Sequence, residues 1–255
     1  MFRMSTPPRA STCLISPANL PMFPTMPLSS LPTLSSSQLQ QMIMLATCKY
    51  GLDHRLLVEH VGRNLTELAQ LFTPEGPILI VAGRGNNGSG GLAAARLLAG
   101  QGRRVWVVPI HEAGNYSGTP REQLDHLRHY PTVRIKSSLP KMKFSCVIDA
   151  AIGTGLEGPP RGRTQDVITV LNRLHDGCCV ISVDVPTGVT VDDGSVPGDA
   201  VQATLTLSVG LPKRGISTGN KVGRLFLGDI GIPPALMVDM NLEVPKLPGF
   251  LVELI

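Results

Sequence analysis

Residues 77–100 read PILIVAGRGNNGSGGLAAARLLAG, and this stretch decides the fold class. The apolar run over 77–83 predicts a buried strand, and the alanine- and leucine-rich segment over 91–102 predicts a helix. Glycines crowd the junction, where the strand turns directly into the helix. The stretch therefore predicts a strand-turn-helix unit of the kind from which α/β domains are built.

The chain downstream repeats this alternation of short apolar runs and helical segments. Strands that are apolar almost throughout, and are separated by helices, are typical of a parallel sheet covered on both faces. Two helices precede the first strand, one capped near Ser35 and ending at Gly51, the other capped by Asp53 and reaching Phe72. We predict a doubly wound α/β fold with a mostly parallel, Rossmann-like sheet flanked by helices and two additional N-terminal helices. The other predicted helices cover 119–130 and 162–177, and the other predicted strands cover 104–110, 133–138, 144–153, 179–188, 203–213 and 223–231.

The N-terminal part of the chain differs in composition from the rest. Residues 1–52 contain no Asp or Glu, and serines and prolines crowd the part before Ser35. Absent acids and scattered arginines resemble a transit peptide, but prolines interrupt the amphipathic helix that such peptides form. The composition favours a disordered extension over 1–34, followed by one α/β domain over 35–255.

The bulk composition excludes several classes of function. The 23 Lys+Arg and 19 Asp+Glu give a formal net charge of +4, and the basic residues are scattered, so nucleic acid is not an expected partner. No apolar stretch approaches the ~18 residues that span a bilayer, so no membrane partner is expected. The five cysteines show no spacing of a disulfide framework or a thiolate metal site. A soluble, cytoplasmic protein is expected, with organellar targeting left open by the acid-free N-terminus.

Ligands of such sheets bind beyond the carboxyl ends of the strands. Gly83, Gly85 and Gly88 match GxGxxG, which is a weak sign of a dinucleotide dehydrogenase because strand-to-helix turns need glycine anyway. The glycines do leave backbone amides that can hold an anionic ligand. Asn86 and Asn87 add amide oxygens suited to a hard cation or to the polar edge of a ligand. The alternative is a simple turn, since Asn-Gly is a frequent turn pair.

Charged residues end three of the predicted strands. Asp149 and Asp184 are the last residues of the runs FSCVID and CVISVD, where both would face one pocket. The alternative is that either residue caps a helix or holds a loop in place through hydrogen bonds. Thr187 adds further oxygens, so Asn87, Asp149 and Thr187 together would make an oxygen cage. Lys213 ends a third strand, where it would neutralise phosphate or act as an acid or base, unless it is a surface lysine.

The six histidines carry no comparable signal. His54, His60 and His111 are isolated from any second ligand, and the other three lie in polar stretches of predicted helices. None is assigned to a metal or to catalysis. Ser89 does not stand in a GxSxG turn, so it is not read as a nucleophile.

Six motifs, in order, resemble one family, the YjeF N-terminal domain of the NAD(P)H-hydrate epimerases. The resemblance runs from about Leu31 to the C-terminus, and six ordered motifs are far more specific than any one of them. The first resembles the family pattern MENAGRxLA, the second GxGNNGGDG, the third VDALFGTGLxGPxRG and the fourth DIPSGxxxDxG. The six read VEHVGRNLTELA, GRGNNGSGG, VIDAAIGTGLEGPPRG, SVDVPTGVTVDDG, LPKRG and IGIPPAL.

This resemblance implies an isomerase of nicotinamide cofactor repair, which interconverts the R and S forms of hydrated NADH and NADPH. It implies a potassium ion held by Asn87, Asp149 and Thr187, with threonine in place of the usual serine. It also implies catalysis by Asp184 and Lys213 as an acid/base pair, with Asp184 contacting the nicotinamide-derived ring. Substrate binding is implied for Asn86, Asn87, Gly88, Ser89, Gly90, Gly153, Thr154, Gly155, Leu156, Glu157, Gly158, Pro159 and Asp184.

The resemblance also implies partners, and the sequence departs from the pattern in places. Only about a score of residues follow IGIPPAL, so we expect a stand-alone epimerase with a separate NAD(P)H-hydrate dehydratase as metabolic partner. A homodimer is expected because the family is commonly dimeric. The family's acidic residue is missing at Gly90, and His60 replaces the asparagine of MENAG. The alternative function is therefore a catalytically weak or inactive nucleotide-binding or scaffold domain of the same fold.

Overall fold

A computed structural model describes residues 23–73, 75–156, 158–218 and 221–255. Within these residues, nine strands form one sheet in the order β1-β9-β8-β7-β6-β5-β2-β3-β4. Neighbouring strands are parallel except for the β8–β9 pair, which is antiparallel. The strands are β1 (Thr25–Met26), β2 (Ile78–Ala82), β3 (Val105–Pro109), β4 (Val133–Ile135), β5 (Cys146–Ala150), β6 (Cys179–Val183), β7 (Leu205–Val209), β8 (Arg224–Gly228) and β9 (Leu251–Leu254).

Six α-helices accompany this sheet in the described part of the chain. Ser35 caps the first helix with a capping box that includes Gln38, and Asp53 caps the second through the backbone amide of Arg55. None of these helices is both long and apolar enough to cross a bilayer. They are α1 (Ser36–Cys48), α2 (His54–Phe72), α3 (Asn86–Gly100), α4 (Gly118–His126), α5 (Arg163–Leu174) and α6 (Pro234–Asp239).

The order of the strands creates a point where the chain changes direction in the sheet. From β2 the chain runs outward through β3 to β4, and it then returns to β5 on the other side of β2. From β5 it proceeds through β6 and β7 to β8. The carboxyl ends of β2 and β5 therefore flank the switch point, where ligands bind in folds of this kind. The predicted doubly wound α/β fold is confirmed.

Alternate residues of the central strand pack on opposite faces of the sheet. Ile78, Ile80 and Ala82 belong to the core beneath α2 and α3, whereas Leu79 and Val81 belong to the core beneath α5. All five are fully buried. Burial of each large aliphatic side chain contributes about 1.5–3 kcal/mol, so the two cores hold the carboxyl edge of the sheet rigidly in place.

The structure differs from the sequence-based prediction in the N-terminal segment. Residues 1–22 lie outside the described residues, but 23–34 are part of the domain and not of a disordered extension. Strand β1 pairs in parallel with β9, and Leu31 and Leu34 are buried. Proline-rich sequence can still supply a two-residue edge strand, because an edge strand needs backbone hydrogen bonds on one side only.

Three further elements were absent from the sequence-based prediction or misplaced in it. Strand β9 and helix α6 were not predicted, since both are short and lie in a stretch rich in proline. Helix α3 begins at Asn86, five residues before the predicted start at Gly91. Glycine disfavours helix by about 1 kcal/mol per residue, so the glycine-rich first turns of α3 were not predicted to be helical. Gly88 is required there because an added Cβ would lie 1.9 Å from the carbonyl oxygen of Gly83.

Candidate active site at the carboxyl edge of the sheet

A cleft with about 740 Å³ of empty volume, partly open to solvent, lies over the carboxyl ends of β2, β5, β6, β7 and β8. Polar groups come mainly from the ends of the strands and the start of α3, whereas helices α1 and α2 contribute mostly apolar side chains. The polar lining consists of Gln40, His54, Asn86, Asn87, Thr154 and Asp184, and the apolar lining of Leu39, Met42, Ile43, Leu57, Val58, Val61, Val183, Val209, Ile230 and Ile232.

Asp184 lies at the tip of β6 in a strained conformation. Its φ is 71°, in the left-handed region that residues other than glycine rarely adopt. The amide of Val185 donates a 2.9 Å hydrogen bond to the carbonyl oxygen of Val183, which closes a tight turn around Asp184. Strain of this kind costs about 1–3 kcal/mol and clusters at functional sites. The turn presents a largely buried carboxyl group to the cleft.

Lys213 lies behind Asp184 and does not line the cleft. Its ammonium group is 2.5 Å from Asp184 Oδ1 and donates hydrogen bonds of 2.8 Å to the carbonyl oxygens of Val209 and Leu211. The three N–H donors are thereby used, and the side chain is fully buried. The prediction that Lys213 faces the pocket is therefore corrected: its ammonium group is buried against Asp184 and two carbonyl oxygens.

The contacts of Asp184 leave one carboxylate oxygen for the cleft. Among the described residues, its side-chain partners are the ammonium group of Lys213 and the amide of Val209, 3.2 Å away, and both contact Oδ1. Oδ2 has no such partner, so it can accept a proton from a ligand or return one. The carboxyl group of Asp184 is thus held through Oδ1, and Oδ2 remains available to the cleft.

Asp149, at the end of β5, is a buried carboxylate that holds the neighbouring loop in place. Thr187 donates to Oδ1 from its hydroxyl (2.6 Å) and to Oδ2 from its amide (2.9 Å). The hydroxyl of Ser182 donates to Oδ2 at 2.9 Å. Desolvation by burial raises the pKa of Asp149, an effect that these hydrogen bonds partly offset. Within the described residues, no lysine, arginine or histidine forms an ion pair with it.

Asn87 joins the start of α3 to the ends of β5 and β6. Its Nδ2 donates a 2.8 Å hydrogen bond to the carbonyl oxygen of Val183, next to Asp184. A Cβ added to Gly153 would lie 2.3 Å from the same nitrogen, so the loop after β5 packs directly on the amide. Asn87 is therefore a structural link between the three loops and not a simple turn residue.

Oxygen donors suited to a hard cation lie on these same three loops. Asn87 keeps its amide oxygen, Asp149 supplies a carboxyl group, and Thr187 supplies a hydroxyl. Alkali and alkaline-earth ions prefer such ligands. The described residues contain no group of three or more His, Cys, Asp or Glu side chains that could hold a metal ion. The donor set fits potassium in its chemistry.

The structure divides the predicted substrate-binding residues of α3 into two groups. Asn86 and Asn87 line the cleft, and the first amides of the helix have no intrahelical acceptor. The side chain of Ser89 is instead buried, where its hydroxyl donates to the carbonyl oxygen of Gly85 at 3.1 Å. Gly88 and Gly90 are buried in the helix, so they shape the site without lining it.

Gly90 is matched to a bulky neighbour on α2. A Cβ added to Gly90 would lie 2.4 Å from Cγ1 of Val61. The pattern MENAGRxLA places alanine where this chain has Val61, and GxGNNGGDG places aspartate where it has Gly90. The two departures are therefore coupled, because the valine side chain occupies the space that a side chain at position 90 would need.

The loop after β5 reaches the cleft through Thr154. Gly153 and Leu156 close a turn through a 3.3 Å backbone hydrogen bond, and Gly158 has a φ of 69°. Pro159 packs near Gly198, whose added Cβ would lie 3.3 Å from it. Glu157, also predicted to bind substrate, lies outside the described residues, and Gly155 has open space around it.

His54 is a site residue that the sequence analysis missed. It is the first residue of α2, and its Nε2 lies 3.1 Å from Asn86 Oδ1. Its Nδ1 lies 3.2 Å from the hydroxyl oxygen of Thr119 on α4. An isolated histidine offers no signal in the sequence, because its partners stand 32 and 65 residues away.

Comparison with known proteins places the same region in one family. A profile described as "YjeF-related protein N-terminus" matches residues 54–215. A "NAD(P)H-hydrate epimerase" of Truepera radiovictrix is 55% identical over 82% of this chain and 94% of its own. A "NAD(P)H-hydrate epimerase" of Dehalogenimonas lykanthroporepellens is 35% identical over 82% of this chain and 87% of its own. A "Bifunctional NAD(P)H-hydrate repair enzyme Nnr" of Thermofilum pendens is 34% identical over 77% of this chain but 39% of its own.

A solved structure shares the fold. The crystal structure of yeast ynu0, YNL200c, superimposes with a TM-score of 0.77 at 21% identity, over 88% of this chain and all of that chain. At 21% identity, this similarity shows that the two proteins share the arrangement of strands and helices.

Proposed function

The chain belongs to the family of YjeF-related protein N-termini, and from that premise we propose that it interconverts the R and S epimers of hydrated NADH and NADPH. The observation that carries the proposal is the shared cleft of Asn86, Asn87 and Asp184, which come from two loops nearly a hundred residues apart. Relatives that cover most of this chain bear the name of that activity. The protein is accordingly an isomerase of cofactor repair.

Epimerisation at a hydroxylated ring carbon next to nitrogen requires reversible loss of the hydroxyl group or opening of the ring. Both routes need a group that gives a proton and later takes it back. Asp184 is suited to this role because Oδ2 is available while Oδ1 is held by Lys213 and Val209. Neither route transfers electrons, so no redox partner is involved.

The apolar and polar parts of the cleft lining suit different parts of the substrate. The apolar side chains of α1 and α2 would cover the faces of the modified nicotinamide ring, and Asn86 would bind a polar edge. The unpaired amides at the start of α3 would hold phosphate, assisted by the helix dipole. Thr154, on the loop after β5, would contact the substrate as well.

A potassium ion completes the proposal, held by Asn87, Asp149 and Thr187. When bound, it supplies positive charge beside a buried carboxylate and joins the three loops that form the floor of the cleft. A cation there would stabilise the ionised form of Asp149, whose pKa is raised by burial and which pairs with no cationic side chain of the described residues. The role is positional and electrostatic, since a monovalent ion acidifies water poorly compared with zinc.

The partners follow from the same premise. The bifunctional relative of Thermofilum pendens is named a repair enzyme, and this chain spans 39% of it. We propose that a separate dehydratase acts on the product of this chain, and that the chain works as a homodimer in the cytoplasm.

An inactive binding or scaffold domain is the alternative function, and Gly90 was its main support. The packing of Val61 weakens this alternative, because Val61 occupies the space that a side chain at position 90 would need. The cleft also retains an acid, Asp184. A domain that only binds has no physical need for a strained carboxylate held by a buried lysine.

The test is an exchange assay with hydrated NADH or NADPH enriched in one epimer. Chromatography follows the approach to the epimer equilibrium with and without protein, in potassium or choline chloride of equal ionic strength. We expect exchange well above the spontaneous rate in potassium and less in choline. Exchange equal to the spontaneous rate in both salts would refute the enzyme assignment.

A further inference from the structure

The first residues of three helices meet beside the cleft. His54 begins α2, Asn86 begins α3, and Thr119 is the second residue of α4. The imidazole of His54 lies between the other two side chains, 3.1 Å from Asn86 Oδ1 and 3.2 Å from Thr119 Oγ1. His54 and Asn86 both line the cleft, and the ring is half-buried.

The two contacts assign the roles of both ring nitrogens. An amide oxygen only accepts, so Nε2 must carry the proton that is donated to Asn86. In the neutral ring Nδ1 then accepts, and the hydroxyl of Thr119 is its donor. A ring held at both nitrogens has one tautomer and one orientation. The contacts therefore also fix the amide of Asn86, whose oxygen is turned towards His54.

We propose that His54 is a positioning residue that turns the NH₂ group of Asn86 towards the bound substrate. This inference rests on the proposed function and adds a property of the site: the substrate atom that meets Asn86 is a hydrogen-bond acceptor, such as the oxygen of a carboxamide group. With the NH₂ group already oriented, the site loses less conformational freedom when the substrate binds. One N–H of the Asn87 NH₂ group is already committed to the carbonyl oxygen of Val183.

The kinetic test uses two variants of His54. His54→Leu removes both hydrogen bonds, whereas His54→Gln keeps an N–H donor for Asn86 and an oxygen acceptor for Thr119. We expect His54→Leu to lower kcat/KM about tenfold, mainly through KM, which corresponds to the loss of about one hydrogen bond. His54→Gln should restore most of it. His60→Leu, at an exposed position of the same helix, is the matched control and should have little effect.

A double-mutant cycle separates positioning from general support of the fold. In an Asn86→Ala background His54→Leu should change kcat/KM less than about twofold, because nothing remains to be oriented. A loss as large as in the wild-type background would overturn the inference, as would an unchanged KM in His54→Leu.

A spectroscopic test needs no turnover, so it separates this inference from the proposed function. In ¹⁵N-histidine-labelled protein at alkaline pH, the His54 ring should be protonated at Nε2, and its resonances should move in Asn86→Ala. Protonation at Nδ1 would mean that Asn86 turns its oxygen to the cleft, and would overturn the inference. Absence of exchange in the wild-type protein refutes the function alone, and the ring tautomer still decides the orientation of Asn86.

Discussion

The ammonium group of Lys213 lies 2.5 Å from Asp184 Oδ1, and the lysine side chain is fully buried. The pair joins the segment that follows β7 to the strained turn after β6 and keeps one carboxylate oxygen for the cleft. A buried pair contributes little net stability when intact, because both charges are desolvated. Removal of one partner is costly, since the other charge is left buried without compensation.

Lys213→Met should therefore destabilise the fold strongly. The change leaves Asp184 buried without its cation, and breaking such pairs costs about 3–5 kcal/mol. Chemical denaturation with a two-state fit measures the free energy of unfolding. Lys246→Met, at an exposed position, is the control and should change it by no more than about 0.5 kcal/mol. Equal stability of the two variants would show that Lys213 does not hold Asp184.

Asp184→Asn should abolish exchange, but it should also destabilise the protein. The sequence alone suggests that an acid in a loop contributes little to the core, and the burial of Lys213 corrects this expectation. Asparagine tolerates the left-handed backbone, so the loss of about 3 kcal/mol would come from the unpaired lysine.

Combining Asp184→Asn with Lys213→Met separates stability from activity. The double variant buries no charge at the pair, so its unfolding free energy should exceed that of either single variant. Its exchange rate should nevertheless remain at background. Exchange in the stable double variant would show that another group moves the proton.

Gly90→Ala should destabilise the protein, although alanine favours helix over glycine by about 1 kcal/mol. The added Cβ would lie 2.4 Å from Val61 Cγ1, and valine has little freedom to turn away. We expect a loss of about 1–3 kcal/mol, as for other overpacked cores. Combining it with Val61→Ala should recover that loss. Gly114→Ala, with open space around the added Cβ, is the control, and strictly additive effects would refute the coupling.

Potassium should raise Tm relative to choline at equal ionic strength. A cation present at about ten times its dissociation constant adds about 1.4 kcal/mol, which shifts Tm by about 3–5 °C for a domain of this size. Asn87→Ala should abolish the shift, and Asn115→Ala, at an exposed position, should keep it. An equal rise of Tm in sodium, or no rise in potassium relative to choline, would remove the basis for a specific site.

The potassium effect should also depend on pH in a defined direction. Burial raises the folded pKa of Asp149 above its unfolded value. Ionisation of Asp149 therefore costs stability as pH rises from the unfolded pKa through the folded pKa, and a bound cation offsets that cost. The shift of Tm by potassium should be absent in acid and reach its full size above the folded pKa. A shift that grows as pH falls would contradict the assignment of Asp149.

The sequence predicted what depends on local pattern. Asp149 and Asp184 follow apolar runs of predicted strands, and the carboxyl ends of parallel strands lie along one edge of a sheet, so the sequence predicted that the two residues are close together. Their expected roles came from the resemblance of the motifs. The sequence could not reveal that Lys213 points inward, because burial of its ammonium group depends on carbonyl oxygens of a turn. The role of His54 was equally hidden, since it arises only where three helices converge. Strand β1 was missed because a partner more than two hundred residues away creates it.

The central claim is that one cavity, with Asp184 as its acid/base group, epimerises hydrated nicotinamide cofactors. The most direct measurement is the rate at which one pure epimer of hydrated NADH is converted to the other in potassium, for the wild-type protein and for the Asp184→Asn, Lys213→Met double variant. The account predicts rapid conversion by the wild-type protein and the spontaneous rate for the folded double variant. Equal rates for the two proteins, whether fast or slow, would contradict it.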